Sequence, residues 1–101
     1  MRISVFKDAN GQPIGEMNIV DSTTEGYNIG LVVFDEANDS WCIYEIPKRD
    51  LLTNEVIWSN IRYCDLGQEE FEKLYVIGDI FNRRELLNGL TPQMIIEGKE
   101  L

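Results

Sequence analysis

The side chains that could do chemistry in this sequence are mostly carboxylates, because its 101 residues include 18 Asp and Glu, 9 Lys and Arg, and no His. Histidine is the commonest general base of enzymes and the commonest neutral metal ligand. Its absence excludes Ser-His and Cys-His catalysis and His-ligated zinc or iron sites. Spacing alone cannot select a catalytic carboxylate pair in so acidic a chain. We therefore expect that the protein is not an enzyme.

One acidic stretch, Asp35 to Asp39, resembles part of a calcium-binding loop. Ala37 and Ser40 stand where the third and sixth positions of such a loop require a ligand and a glycine. A hairpin tip explains the stretch better, so we predict no metal site. The chain also lacks a glycine-rich phosphate loop followed by a Lys-Ser/Thr pair. We accordingly expect no cofactor.

The acids are concentrated in one part of the chain. No Lys or Arg occurs between Asp8 and Pro47, whereas eight acids do, and this segment carries most of the formal net charge of -9. Such acidity argues against nucleic acid or an anionic membrane as a direct ligand, since binding them requires cations. A basic protein is the electrostatic complement. The alternative interpretation is that the acids only keep a small domain soluble.

The cysteines and the hydropathy of the chain bear on its compartment. Cys42 and Cys64 are too few for a disulfide-rich scaffold, so we expect them to be reduced and buried. The first residues contain no apolar stretch long enough for a signal peptide, and no uncharged run reaches the length of a membrane span. These observations predict a cytoplasmic protein.

The first half of the chain has the pattern of strands. Alternating and β-branched residues predict strands at about residues 1–7, 13–20, 27–34 and 41–46. Asn10-Gly11 is a hairpin signal between the first two strands. The third and fourth strands predict a second hairpin around the polar residues 36–40, in which Trp41 belongs to the core.

The second half is harder to interpret. Residues 48–66 could form a helix, but Val56 to Tyr63 is rich in β-formers, so we choose a turn followed by a fifth strand. From Glu69 to about Asn88 the apolar spacing predicts a helix, with a division at Gly78-Asp79 as an option. Thr91-Pro92 predicts the start of one further helical turn that ends near Glu97.

This order of elements predicts a single α+β domain over residues 1–101. Its antiparallel sheet has four to five strands, built from N-terminal hairpins, and is followed by a C-terminal helix packed on one face. Both faces are apolar at the centre of the second hairpin, since Leu31 and Val33 alternate with Val32 and Phe34. One helix covers one face only. The other face must be curled into a barrel, covered by a loop or buried against another chain.

Two functions remain open. The first is an acidic binding protein that neutralises a basic protein partner, in the manner of an immunity protein, an anti-defence protein or a nucleic-acid mimic. The second is a structural module that forms a homodimer through its spare sheet face, with the charge serving solubility only. For the first, we expect a partner-binding surface made of acids and of tyrosines whose hydroxyls need water or a partner. Its predicted residues are Asp35, Glu36, Asp39, Glu45, Tyr44 and Tyr27.

Overall fold

The structure is a computed structural model that describes residues 1–22, 29–59 and 61–101. Its strands are β1 (Ile3–Lys7), β2 (Pro13–Gly15), β3 (Asn18–Ser22), β4 (Gly30–Asp35), β5 (Ser40–Glu45), β6 (Lys48–Arg49), β7 (Val56–Ile57), β8 (Arg62–Tyr63) and β9 (Leu74–Asp79). Its helical elements are α1 (Gln68–Phe71), a 3-10 helix (Arg84–Leu87) and α2 (Pro92–Glu97). The predicted α+β class is confirmed, with an antiparallel sheet followed by a C-terminal helix.

The central sheet has five antiparallel strands in the order β8-β5-β4-β3-β9. Its middle is the predicted hairpin of β4 and β5, which pair without interruption from Gly30 opposite Glu45 to Asp35 opposite Ser40. β1 and β2 form the predicted N-terminal hairpin as a separate two-stranded sheet, and β6 and β7 form another. Aromatic and β-branched side chains on both strands favour the central pairing.

Both faces of the central sheet are covered. Leu31 and Val33 point to one side, where they join a buried cluster with Leu87, Leu90 and Ile95 from the C-terminal segment. Val32 points to the other side, where its buried cluster includes Ile14 of β2 and Phe71 of α1. The N-terminal hairpin and α1 therefore cover the face that the sequence left without a partner.

The helix predicted from Glu69 to about Asn88 is wrong. Only its two ends are helical, as α1 (Gln68–Phe71) and the 3-10 helix (Arg84–Leu87). Between them Leu74–Asp79 is strand β9, which pairs with β3 at the edge of the sheet. Leu74 and Ile77 are spaced as on one face of a helix, whereas Leu74 and Val76 are spaced as on one face of a strand, so the pattern could not decide between the two. Pairing with β3 decides in favour of the strand, because it satisfies the backbone groups of both segments. The short helix begun at Thr91-Pro92 is confirmed as α2.

Two predicted strands are shorter than expected. The single strand predicted over residues 13–20 is divided into β2 and β3 at Met17, whose φ is 70°, and the Gly15 N–H donates to Asn18 Oδ1 at 2.7 Å across this turn. Of the fifth strand expected over Val56 to Tyr63, the two ends are strands: Val56–Ile57 is β7, which forms a hairpin with β6, and Arg62–Tyr63 is β8, which pairs with β5. The predicted start of the third strand at Tyr27 lies outside the described residues.

The two cysteines form a disulfide, so the expectation of two reduced thiols is wrong. Cys42 lies in β5 and is fully buried, whereas Cys64 is half-buried directly after β8. The pairing of β8 with β5 brings the two residues side by side, although 22 positions separate them in the chain. The disulfide thereby ties the edge of the sheet to its centre.

Candidate interaction surface

Three of the predicted partner-binding acids lie together at the tip of the β4-β5 hairpin. Asp35 ends β4, and Glu36 and Asp39 lie in the turn that leads into β5. The pairing of Asp35 with Ser40 closes this turn. We call these three residues the acidic tip.

Asp35 has a structural role within the acidic tip. Its Oδ1 accepts a hydrogen bond from the Ala37 N–H at 3.1 Å, and its Oδ2 accepts one from Asn38 Nδ2 at 2.8 Å. The bond from the Asn38 side chain is the main cause that lowers the pKa of Asp35 below its ordinary value of 3.8. Both carboxylate oxygens therefore hold the turn in place.

Glu36 is the connection between the acidic tip and the N-terminal hairpin. Its Oε1 lies 3.5 Å from Arg2 Nη2, and 81% of its side chain is exposed. The Arg2 guanidinium also lies 4.0 Å from the centre of the Phe34 ring, which packs against Trp41 at a centroid distance of 5.0 Å. An exposed ion pair of this kind contributes little to stability, so Glu36 can exchange Arg2 for another cation at small cost.

Asp39 is the acid of the tip with the fewest structural ties. It is exposed and has a positive φ of 49°, a conformation that Asp tolerates better than most residues. Within residues 1–22, 29–59 and 61–101, no group forms a hydrogen bond or ion pair with its carboxylate. Its charge is therefore directed to solvent.

The other predicted residues are not part of the tip. Tyr44 and Glu45 lie at the far end of β5, about 14 and about 17 Å from Ser40 along a strand that rises about 3.4 Å per residue. Tyr44 packs against the Leu31 side of the core, and its hydroxyl accepts a hydrogen bond from Arg62 Nη1 at 3.4 Å. Tyr27 lies outside the described residues. The structure thus brings together three of the six residues and separates two from them.

The aromatic residues near these sites serve the core. Trp41 is half-buried against the cluster that contains Val32 and Phe71, as expected. Trp58 is half-buried against the opposite cluster. Both side chains therefore support the sheet that carries the acidic tip.

Sequence reasoning missed two exposed apolar features. Leu51 and Leu52 are 99% and 96% exposed in the turn between β6 and β7. Ile3 and Val5 of β1 are also exposed, while Ser4 and Phe6 face inward. Alternation identified β1 as a strand but could not show which of its faces is buried, because both faces carry apolar residues.

The described part of the chain also bears on metal ions, clefts and membrane spans. Across it, no group of three or more His, Cys, Asp or Glu side chains is arranged to hold a metal ion. A cleft of about 370 Å³ near the 3-10 helix is lined by Ile80, Leu87, Leu90 and Pro92, with Arg84 as its charged side chain. In the same described ranges, no helix is both long and apolar enough to span a membrane.

No protein-family model matches the sequence, and no curated protein matches it. Any functional interpretation of the acidic tip therefore depends on its own geometry and charge.

Proposed function

We propose that the chain is a non-enzymatic acidic binding protein that neutralises a basic protein partner, as an immunity protein, an anti-defence protein or a nucleic-acid mimic does. The observation that carries the proposal is the exposure of Glu36 and Asp39 on a continuously paired hairpin. The hairpin is held by six residue pairs. Because it is already ordered, it loses little conformational entropy when a partner binds.

The charge distribution supports steering of a basic partner toward this end of the molecule. The tip carries three carboxylates, and the segment from Asp8 to Pro47 contains no Lys or Arg. Acids in such a surface raise the association rate of a cationic protein, and added salt weakens the effect. Tyr44 and Glu45 are near enough to the tip to belong to the same interface. A standard interface covers about 800 Å² on each partner, and a patch of this area is wider than the length of β5.

The alternative is a homodimer through a spare face of the central sheet. It is less favoured, because it requires an uncovered face and both faces are covered. Ile14 and Phe71 cover the Val32 side, and the C-terminal segment covers the Leu31 side. Self-association through the central sheet would require one of these layers to be displaced. The binding proposal has no such cost.

The proposal is tested by capture from a lysate of the native host with wild-type protein and two charge-matched variants. The test variant is Glu36→Lys with Asp39→Lys, and the control is Glu69→Lys with Glu72→Lys, two exposed acids in and beside α1. Each variant changes the net charge by +4, from -9 to -5. The captured basic protein is identified by mass spectrometry, purified, and its association rate with each form is measured against salt.

We expect the wild-type and the control to bind one basic protein with a rate that falls with salt, and the tip variant to bind it at least about tenfold more slowly. Equal rates for the two variants would reject the tip as the contact. Failure of the wild-type to bind any basic protein at low salt would reject the function itself.

The cytoplasmic location stays a prediction, and the disulfide weighs against it. Disulfides persist in oxidising compartments and are rare in the reducing cytosol. Alkylation of thiols at the moment of cell lysis, followed by mass spectrometry of the peptides that contain Cys42 and Cys64, decides the matter. Two alkylated cysteines would agree with the cytoplasm, and an intact disulfide would argue for an oxidising compartment.

A further inference from the structure

The outer face of β1 carries an apolar stripe without a covering layer among the described residues. Ile3 is 75% exposed and Val5 is 88% exposed. The inner face of the same strand is packed, since the Phe6 ring stacks on Phe71 at 5.3 Å. The hairpin thus already has its contact with the core, and Ile3 and Val5 form a second apolar surface on its opposite side.

β1 is also an open strand edge. Among the described residues its only strand partner is β2, on one side, and an edge strand offers unpaired backbone groups to another strand. Gln68 covers this edge at Lys7 alone, where its Oε1 accepts from the Lys7 N–H at 3.0 Å and its Nε2 donates to the Lys7 carbonyl at 2.8 Å. Residues Ile3 to Phe6 carry no charge and no proline that would prevent pairing.

The edge at β9 shows the protection that β1 lacks. The Val76 N–H donates to Asp8 Oδ2 at 2.9 Å, the Ala9 N–H donates to the Leu74 carbonyl at 2.8 Å, and Arg83 Nη1 donates to the Ile77 carbonyl at 3.2 Å. These groups cover the outer side of β9 from Leu74 to Ile77. The fold therefore closes one edge with side chains and a turn, and leaves most of β1 open.

We propose that β1 pairs antiparallel with β1 of a second copy, about a two-fold axis at Ser4. The spacing is self-complementary, because this register places Ile3 opposite Val5 of the second copy and Val5 opposite its Ile3. The two hairpins then form one four-stranded sheet, with four aliphatic side chains together on its outer face. Gln68 ends the pairing before Lys7, which limits slippage of the register.

The charges favour a second copy as the occupant, and the small area sets the affinity that we expect. β1 contains Lys7 and no acid, and Arg2 directly precedes it, so this strand adds no negative charge to a contact between two copies of a chain with a net charge of -9. In the proposed register Arg2 lies opposite Phe6 and not opposite another cation. Since one short strand buries less than a standard interface of about 1,600 Å², we expect a dissociation constant in the micromolar range.

Sedimentation velocity from about 1 to 500 µM tests the proposal. We compare the wild-type, Val5→Lys and Leu51→Lys, which introduces the same charge at a residue that is 99% exposed in the β6-β7 turn. We expect the wild-type and Leu51→Lys to shift from monomer to dimer with rising concentration and Val5→Lys to stay monomeric. Circular dichroism and urea midpoints confirm that each variant is folded, and Val5→Thr replaces Val5→Lys if the latter is not.

An isotope-filtered NOE between Ile3 and Val5 methyl groups of differently labelled copies would establish the register directly. The proposal is overturned if the wild-type remains monomeric at the highest concentration, or if a dimer forms equally well in Val5→Lys and Leu51→Lys. Because this surface does not include the acidic tip, neither result affects the proposed function.

Discussion

At the scale of single residues, Asp8 is a buried carboxylate that holds two distant parts of the fold together. It is only 5% exposed, and its Oδ1 accepts hydrogen bonds from the N–H groups of Asn10 and Gln12 at 2.9 and 2.8 Å. Its Oδ2 accepts from the Val76 N–H at 2.9 Å, which joins the first turn to strand β9. Asp8 was expected only as one member of an acidic segment, and tertiary contacts give it this structural role.

We predict that Asp8→Asn lowers the free energy of unfolding by about 2 to 3 kcal/mol, because hydrogen bonds to a charged acceptor are strong and an amide nitrogen cannot accept from an N–H. Urea denaturation measures the loss. The control is Asp39→Asn, which removes the same charge from an exposed turn and should change stability by less than about 0.5 kcal/mol. Equal losses in the two variants would contradict this account of Asp8.

Two exposed aspartates are predicted to titrate below their ordinary pKa of 3.8. The Asn38 side chain lowers the pKa of Asp35, and the backbone N–H of Thr53, followed by that of Leu52, lowers the pKa of Asp50. Ionised Asp35 and Asp50 therefore stabilise the fold above about pH 4, and this contribution is lost as the pH falls through their lower folded pKa values.

Carbon-detected NMR titration of the side-chain carboxyl groups measures both pKa values. Asn38→Ala should move the pKa of Asp35 upward and leave that of Asp50 unchanged. A pKa of Asp35 at or above 3.8 in the wild-type protein would contradict the hydrogen bonds seen in the turn.

At the scale of elements, the close packing of β4 against β5 depends on a glycine. A Cβ placed on Gly30 would collide with Ile43 Cγ2, inside a buried part of the sheet. We predict that Gly30→Ala lowers the free energy of unfolding by about 1 to 3 kcal/mol, since overpacking forces side chains or backbone to shift. In the control Gly67→Ala the Cβ meets open space, so a smaller loss is expected by thermal denaturation. A Gly30→Ala protein as stable as this control would show that the sheet adjusts without strain.

The disulfide is a second link between elements. It closes a loop with a sequence separation of 22, for which the chain-entropy relation gives about 3 kcal/mol of stabilisation. We predict that the double variant Cys42→Ala, Cys64→Ala is destabilised by about that amount, and that the wild-type loses a similar amount in reductant. Guanidinium denaturation with and without dithiothreitol measures both. Reductant should leave the double variant unchanged, and any effect there would point to another cause.

Elements with a complete local signal were predicted from the sequence. Asn10-Gly11 marks the turn of the first hairpin, and Thr91-Pro92 marks the start of α2, where Thr91 Oγ1 accepts from the Met94 N–H at 3.2 Å. β9 was missed because its strand form depends on β3, far away in the chain. The same limit applies to the site: a turn sequence indicated the acidic tip, but only the strand register shows that Tyr44 lies at the opposite end of β5.

At the scale of the whole molecule, the excess of acids opposes folding. Arg2 pairs with Glu36 and Arg83 pairs with Glu85, but the net charge of the chain is -9, because it has 18 acids and 9 bases. Compact structure brings like charges closer together, and salt screens their repulsion.

We predict that raising NaCl from about 10 to 200 mM increases the melting temperature by a few degrees, as the Debye length shortens from about 30 Å to under 10 Å. The Glu69→Lys, Glu72→Lys variant, with a net charge of -5, should gain less. Differential scanning calorimetry measures the effect at one protein concentration. A melting temperature that is independent of salt would mean that the acids are too far apart to repel.

The sequence by itself determined the properties that arise within a few residues: the net charge and its concentration before Pro47, the hairpin turns, the cap of α2 and the α+β class. Tertiary structure alone decided the strand form of β9, the disulfide, the covering of both sheet faces and the outward direction of Ile3 and Val5. The physical reason is that turns and caps are stabilised by neighbouring atoms, whereas strand pairing and burial depend on partners many residues away. Local pattern therefore identifies candidate surfaces, and long-range packing decides which of them remain exposed.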